Sequence, residues 1–256
     1  MIKSGYKYLV PEKLRIKIRI YLNKLICPVY LGSRYYCNCC DTSFRKFLSK
    51  GNIKRKNARC PCCGSLERTR VLTMYLQNET RIFSLEKPRI LHIAPEYALS
   101  RILKQLDAEY VDGDINPAYA RNEIDITDIH FPDNYFDFII CSHVLGHVPD
   151  EMNAIQELSR VLHPVGEALI MTLINLEAGE TLEDISITSE QDRLNIYGEP
   201  DLCRLHGLDF KDRLQKNGFD VEVIDYRKRF SEKENEKFRM GDGRRELIFK
   251  CRKINN

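Results

Sequence analysis

Seven of the ten cysteines, at positions 27, 37, 39, 40, 60, 62 and 63, fall in the first quarter of a 256-residue chain. The runs Cys37-Asn38-Cys39-Cys40 and Cys60-Pro61-Cys62-Cys63-Gly64 frame nineteen residues, so their outer members read C-x2-C-x19-C-x2-C. Each C-x2-C turn presents two thiolates to one edge of a tetrahedron, the donor set of a zinc ribbon or knuckle. Structural zinc is therefore expected at Cys37, Cys40, Cys60 and Cys63. Cys39 and Cys62 either replace a neighbour in the metal shell or stand by as thiols. Four thiolates leave no open coordination position, so this zinc holds the fold rather than taking substrate. Gly64 lets the chain turn sharply at the metal.

Between the two pairs lie Phe44, Arg45, Lys46, Phe47, Lys50, Lys54, Arg55, Lys56 and Arg59, cations interleaved with aromatics. Nucleic-acid binders have this pattern. So does a small core of Phe44 and Phe47 surrounded by solvated lysines. The formal net charge of +3 conceals an asymmetry: residues 1–80 carry 17 Lys and Arg against 4 Asp and Glu, the remainder 23 against 33. A basic front end can meet nucleic acid, an anionic membrane, or the acidic part of its own chain. Leu14, Ile18, Tyr21, Leu22 and Leu25 recur at helical spacing among Lys13, Arg15, Lys17, Arg19 and Lys24, which predicts a basic amphipathic helix within residues 1–26. Such a helix either docks on the rest of the chain or makes a weak contact with an anionic membrane surface.

A composition of 43% hydrophobic and 30% charged residues is that of a folded soluble protein. Apolar runs stay far below the roughly 18 residues of a membrane span. The first 26 residues keep inserting Lys and Arg, unlike a cleavable signal, so a cytoplasmic protein is expected.

The elements that must position any further chemistry alternate after Gly64. Residues 66–76, 97–106, 151–162 and 210–217 read as helices; 89–94, 108–115, 136–141, 167–174, 221–226 and 246–251 read as strands, with 123–129 as a third strand after 108–115. This order predicts an α/β, Rossmann-like, doubly wound, mostly parallel sheet, with ligands at the carboxyl ends of its strands. The last two strands suggest a hairpin at one edge. Three segments are expected: a basic helix over 1–30, a zinc module over 31–66 and a Rossmann-like domain over 67–256. Within the last, the acidic segment 175–206 is longer than the sheet needs and reads as a lid or substrate loop.

Residues 125–150, DITDIHFPDNYFDFIICSHVLGHVPD, followed by AIQELSRVLHPVG at 154–166, resemble the central block of class I S-adenosylmethionine-dependent methyltransferases. The run CPCCGSLER at 60–68 is similar to that of a bacterial subgroup with a cysteine-rich N-terminal module. The resemblance implies methyl transfer from S-adenosylmethionine. It places Asp114 where the family acid takes both ribose hydroxyls, with Asp112 as the competing residue. Asp125 and Ile126 match the adenine position, and Cys141, Ser142 and His143 the methionine end and the substrate mouth.

The first loop departs from the family, whose acid and three alternating glycines become His92, Ala94, Glu96 and Ala98. Glycine serves pyrophosphate binders by letting the backbone approach. S-adenosylmethionine presents an amino-acid end instead, whose ammonium Glu96 can accept. Cofactor contacts are accordingly expected from His92, Ala94, Glu96, Asp114, Asp125, Ile126, Cys141 and Ser142. His143 is the candidate general base, with His147 a rim or core histidine. Tyr197, Arg204 and His206 match the family's substrate-side motif, although its Asp-His-Val-Arg run reads Asp201-Leu-Cys-Arg204 here. The acceptor expected is a small molecule or glycan-type group. RNA is the alternative that the basic module supports, and a non-catalytic scaffold with a decayed cofactor site is the alternative that the missing glycines allow.

Overall fold

The computed structural model describes residues 10–254. Residues 1–9, the start of the expected basic helix, lie outside the described residues. Helix α1 (Glu12–Ile26) is followed by two small antiparallel pairs, β1 (Leu31–Cys37) with β2 (Thr42–Phe44) and β3 (Leu48–Lys50) with β4 (Arg55–Arg59). Then come α2 (Glu67–Glu79), β5 (Arg89–Ile93), α3 (Tyr97–Leu103), β6 (Glu109–Asp114), β7 (Asn122–Glu123), β8 (Phe136–Ser142), α4 (Glu151–Val161) and β9 (Leu162–Met171). The segment 175–206 contributes β10 (Leu182–Glu183), α5 (Glu190–Tyr197) and β11 (Arg204–Leu205). The chain closes with α6 (Phe210–Lys216), β12 (Phe219–Ile224), α7 (Glu232–Phe238) and β13 (Ile248–Lys253).

Seven strands form one sheet in the order β12-β13-β9-β8-β5-β6-β7, parallel from β9 to β7 and antiparallel at β13 and β12. The central strands β5 and β8 are largely apolar on both sides because both faces are covered. Leu91, Ile93, Ile139 and Cys141 enter the core layer under α4, while Ile90, Phe138 and Ile140 enter the layer under α2 and α3. This is the period-two alternation of a strand, here apolar on both sides. Helix α4 starts where the Asp150 side chain accepts from Asn153 N, and buries Ala154, Ile155, Leu158 and Val161 on one face.

The structure departs from the sequence expectations in three places. The expected strand over 123–129 shrinks to Asn122–Glu123, because the Asp125 carboxylate accepts from Thr127 N and Oγ1 and turns the chain. The closing strands do pair antiparallel at one edge, β12 outermost and β13 between it and β9, but α7 intervenes, so the connection is longer than a hairpin turn. Helices α5 and α7 were not apparent in the apolar periodicity, since both are polar and α7 buries no residue. Ser189 and Ser231 start them by accepting from the backbone three residues on.

Tyr35, Phe44, Phe47 and Ala58 are buried in the module. Phe47 stacks at 5.6 Å from both Tyr35 and Phe44, so the aromatics between the cysteine pairs are core and not base-stacking platforms. Arg70 of α2 is fully buried and ties module to sheet domain: it donates to the carbonyls of Ala58, Ser65, Phe238 and Arg239 and lies over the Phe47 ring.

Helix α1 docks with a mixed face inward, Ile16 and Ile20 beside Arg19 and Asn23. Asn23 is buried and accepts from Arg59, and Glu12 accepts from Asn116 Nδ2 at 3.0 Å and Tyr119 Oη at 2.6 Å. Leu14, Tyr21, Leu22 and Leu25 face outward, 47 to 63% exposed.

Candidate functional site

Two constellations stand out. In the module, the Sγ atoms of Cys37, Cys40, Cys60 and Cys63 lie within 4.8 Å of one another, with Cys37–Cys63 at 3.6 Å and Cys40–Cys60 at 3.8 Å. A tetrahedron with metal–sulfur bonds of about 2.3 Å has edges of about 3.8 Å, so these four donors fit a zinc ion. Both knuckles are backbone turns, Cys40 N to Cys37 O and Gly64 N to Cys60 O, and Gly64 takes the left-handed φ of +77° that such a turn favours. Ser65 Oγ lies 3.2 Å from Cys37 Sγ and 3.3 Å from Cys63 Sγ, a hydroxyl placed to donate to thiolates. Cys39 turns away to Thr73 and Thr69 of α2, and Cys62 faces Cys27; neither joins the cluster.

The second constellation gathers where strand order reverses. After β5 the chain moves outward to β6 and β7, then returns to β8 on the other side, which opens a crevice at the carboxyl ends of these strands. Ala94 ends β5 with a left-handed φ of +48°, and its N–H is held by Gly113 O at 2.8 Å. The loop thus takes a backbone conformation that favours glycine without having one. Glu96 folds back into the crevice. Its Oε1 accepts from Arg68 Nε at 3.1 Å and lies 3.4 Å from Ser142 Oγ, while its buried Oε2 has no hydrogen-bond partner among the described residues. His92 is buried, with Nδ1 at 2.9 Å from Tyr110 Oη and Nε2 at 3.9 Å from that oxygen. Burial acts to raise the Glu96 carboxyl, but His92 and Arg68 hold it below the ordinary range, so it is a carboxylate at neutral pH.

Of the two aspartates on β6, Asp112 is occupied: Lys104 at 2.7 Å and Arg121 at 3.1 Å pair with it. Asp114 spends one oxygen on Asn116 N at 2.8 Å, and burial, with Glu12 nearby, raises its carboxyl. Its other oxygen remains available as an acceptor. His143, also at a positive φ of +57°, directs Nε2 to the carbonyl of Arg245 at 3.0 Å. A carbonyl only accepts, so Nε2 carries the proton and Nδ1 the lone pair. Burial and then Arg68 push this imidazole well below its usual pKa, so it is neutral.

Other expected contacts are placed differently. Cys141 is fully buried in the α4-side core and its thiol is pushed up to about 12 by burial, so only its backbone reaches the crevice. Ile126 is a core residue, and the Asp125 side chain is committed to its turn with Thr127. The three substrate-side residues are corrected outright. Arg204 is 2% exposed and its guanidinium donates to the carbonyls of Leu145, Val148 and Pro149 and to Glu183. His206 sits between Thr172 Oγ1 at 2.9 Å and Glu151 Oε1 at 2.5 Å, and Tyr197, 1% exposed, hydrogen-bonds the backbone of Asp184. These side chains fix the segment 175–206 onto the sheet; none presents a free polar group to a ligand. His147 is on the rim, with Nδ1 at 3.2 Å from Asp201 O.

Arg68 and Arg245 are the site residues that sequence reasoning missed. Arg68 closes the CPCCGSLER run, so the signal was present, but nothing in the spacing says that α2 aims it at Glu96.

Residues 98–170 match the methyltransferase domain family. The tRNA U34 carboxymethyltransferase of Nautilia profundicola is 28% identical over 169 residues, 65% of this chain and 52% of that protein. The chain thus spans about half the length of that curated relative. Among solved structures, the (4+2)-cyclase SpnF superposes with a TM-score of 0.54 at 14% identity, covering 96% of this chain and 98% of that one. Phosphoethanolamine N-methyltransferase 2 of Haemonchus contortus, in complex with S-adenosyl-L-methionine, gives 0.48 at 15% identity over 72% of this chain and 52% of that one. The matched segment lies within a sheet of strand order β12-β13-β9-β8-β5-β6-β7, so the chain is similar to the methyltransferase domain family over residues 98–170 and carries a four-cysteine cluster ahead of the sheet domain.

Proposed function

We propose that the protein transfers a methyl group from S-adenosylmethionine to an acceptor, with a structural zinc in the module. The observation that carries this reading is the pair of unspent carboxylate oxygens, on Glu96 and Asp114, at the switch point of a class I methyltransferase sheet. A buried carboxylate oxygen without a donor is costly, and an ammonium group repays it. Glu96 returns from the second glycine position the carboxylate that His92 lacks, so the altered loop compensates for its own departure. Asp114 offers its free oxygen to a ribose diol. The cofactor, when bound, supplies an electrophilic methyl.

The chain's own residues then hold the acceptor in line, exclude water and remove a proton where the acceptor has one. His143 serves as base through Nδ1, because the Arg245 carbonyl fixes the tautomer and burial keeps the ring unprotonated. Calorimetric titration of zinc-loaded protein with S-adenosylhomocysteine tests the reading: one micromolar site per chain supports it, and absence of heat leaves a scaffold.

The acceptor and partners form a separate question. The relative's name brings tRNA forward, and the exposed Arg45, Lys46, Lys54 and Lys56 favour an anionic partner. Against RNA, Phe44 and Phe47 are unavailable for stacking. A small-molecule or glycan-type acceptor remains the preferred reading. The outward stripe of Leu14, Tyr21, Leu22 and Leu25 beside Lys13, Lys17 and Lys24 favours a weak contact of α1 with an anionic membrane surface. Co-sedimentation with phosphatidylserine vesicles that survives Tyr21→Ser with Leu25→Ser removes that contact from the reading. No described helix is long and apolar enough to cross a membrane.

A further inference from the structure

We propose that the cavity roofed by α1 receives the phosphoryl group of a small-molecule acceptor, whose reacting end extends past Arg68, a residue that also lines the smaller space beside His143. This rests on the reading of the neighbouring crevice as the cofactor site. The cavity, about 450 Å³, lies between α1, the module and the first turn of α3, and Glu96 lines it, so the two spaces share a wall.

Four separate elements send a cation into it: Arg19 from α1, Lys50 from β3, Arg59 from β4 and Arg68 from α2. Arg68 is matched by Glu96, and the lining Lys104 is matched by Asp112. Arg19, Lys50 and Arg59 form no ion pair among the described residues. Four thiolates around a zinc ion carry a net charge of −2, and Arg59, hydrogen-bonded to Asn23 beside Gly64, is close enough to answer part of it. Arg19 and Lys50 pair with no thiolate, and the carboxylate that acts on Lys50, Glu199, is itself paired with Arg245 at 3.1 Å. Burial and the charges of Arg59, Arg19 and Arg68 all push the Lys50 ammonium down. A fold that gathers like charges from separate elements stores a repulsion that a dianion relieves. The volume matches a small ligand and is far too small for a nucleic-acid helix.

The test is calorimetric titration of the zinc-loaded full chain with inorganic pyrophosphate, with and without saturating S-adenosylhomocysteine. Lys50→Gln and Arg19→Gln, both at exposed positions, are compared after their circular dichroism is shown unchanged. One site per chain, weakened at least tenfold in each variant with S-adenosylhomocysteine affinity retained, is the expected result. No binding of pyrophosphate, or binding in both variants as tight as in the unaltered chain, overturns the proposal. Pyrophosphate binding that depends on Lys50 and Arg19 without any S-adenosylhomocysteine binding keeps the anion cavity and removes the methyltransferase reading beneath it. Displacement of pyrophosphate by a sugar phosphate supports a small-molecule acceptor; displacement only by a 5′-phosphorylated oligoribonucleotide overturns that choice.

Discussion

The four-cysteine module packs Tyr35, Phe44, Phe47 and Ala58 around its thiols, whereas the sheet domain buries two apolar layers, one on each face of β5 and β8. In the sheet, strand pairing and burial are enough to fix the order of elements. The module has too little apolar area for that and relies on four converging thiolates and on Arg70. The site lies where the two regions meet, since Arg68 comes from the helix that follows the module and Glu96 from the sheet's first loop. A change in the module is therefore expected to reach the site without touching the sheet.

The largest effect should come from Cys37→Ser or Cys63→Ser. Zinc content measured by atomic emission should fall from one per chain to none, and the module should become protease-sensitive while the sheet keeps its circular dichroism. Retained zinc would break the contrast between the regions. Arg70→Ala comes next, because it strands four buried carbonyls at the joint; a loss of about 3–5 kcal/mol is expected in urea unfolding. A loss below about 1 kcal/mol would mean that the regions are not coupled through this residue.

Within the sheet domain, Asp114→Ala should weaken S-adenosylhomocysteine binding by about 1–3 kcal/mol with unchanged stability. Unaltered affinity would move the ribose contact elsewhere.

Glu246, buried near the last strand, has its carboxyl raised to about 7 by burial. The folded state holds that proton more tightly than the unfolded chain. Its contribution to stability is therefore full below the ordinary glutamate pKa and is lost as pH rises toward about 7. Glu246→Gln should flatten this part of the Tm profile, and a parallel profile would show that the group does not titrate there. The smallest effect is expected from Ala94→Gly, which should raise stability by about 0.5–1 kcal/mol by relieving the left-handed backbone. Destabilisation would show that the alanine methyl has a packing role.

Much of this was legible in the residues. The cysteine spacing named the four thiols that converge, because a metal-binding pattern needs only donor identity and reach. Alternation of strands and helices gave the sheet, because apolar runs such as residues 136–141 have one way to hide both faces. The misses share a cause. Arg204, His206 and Tyr197 were read as ligand-facing from their types, but a polar side chain that hydrogen-bonds inward reads the same in sequence as one that faces a ligand. The Asp125 turn shortened a strand because one carboxylate competes locally with sheet pairing.

The sequence by itself determined which four cysteines converge, the alternation of the sheet and the loss of the glycines from the first loop, all of which are properties of local order and spacing. Only the tertiary structure decided that Glu96 turns back beside His92, that Asp112 is ion-paired and Asp114 is not, and that α1 lies over a cavity lined by Arg19, Lys50, Arg59 and Arg68. Those facts depend on which distant charges a side chain meets, and electrostatic pairing across the fold leaves no trace in residue spacing.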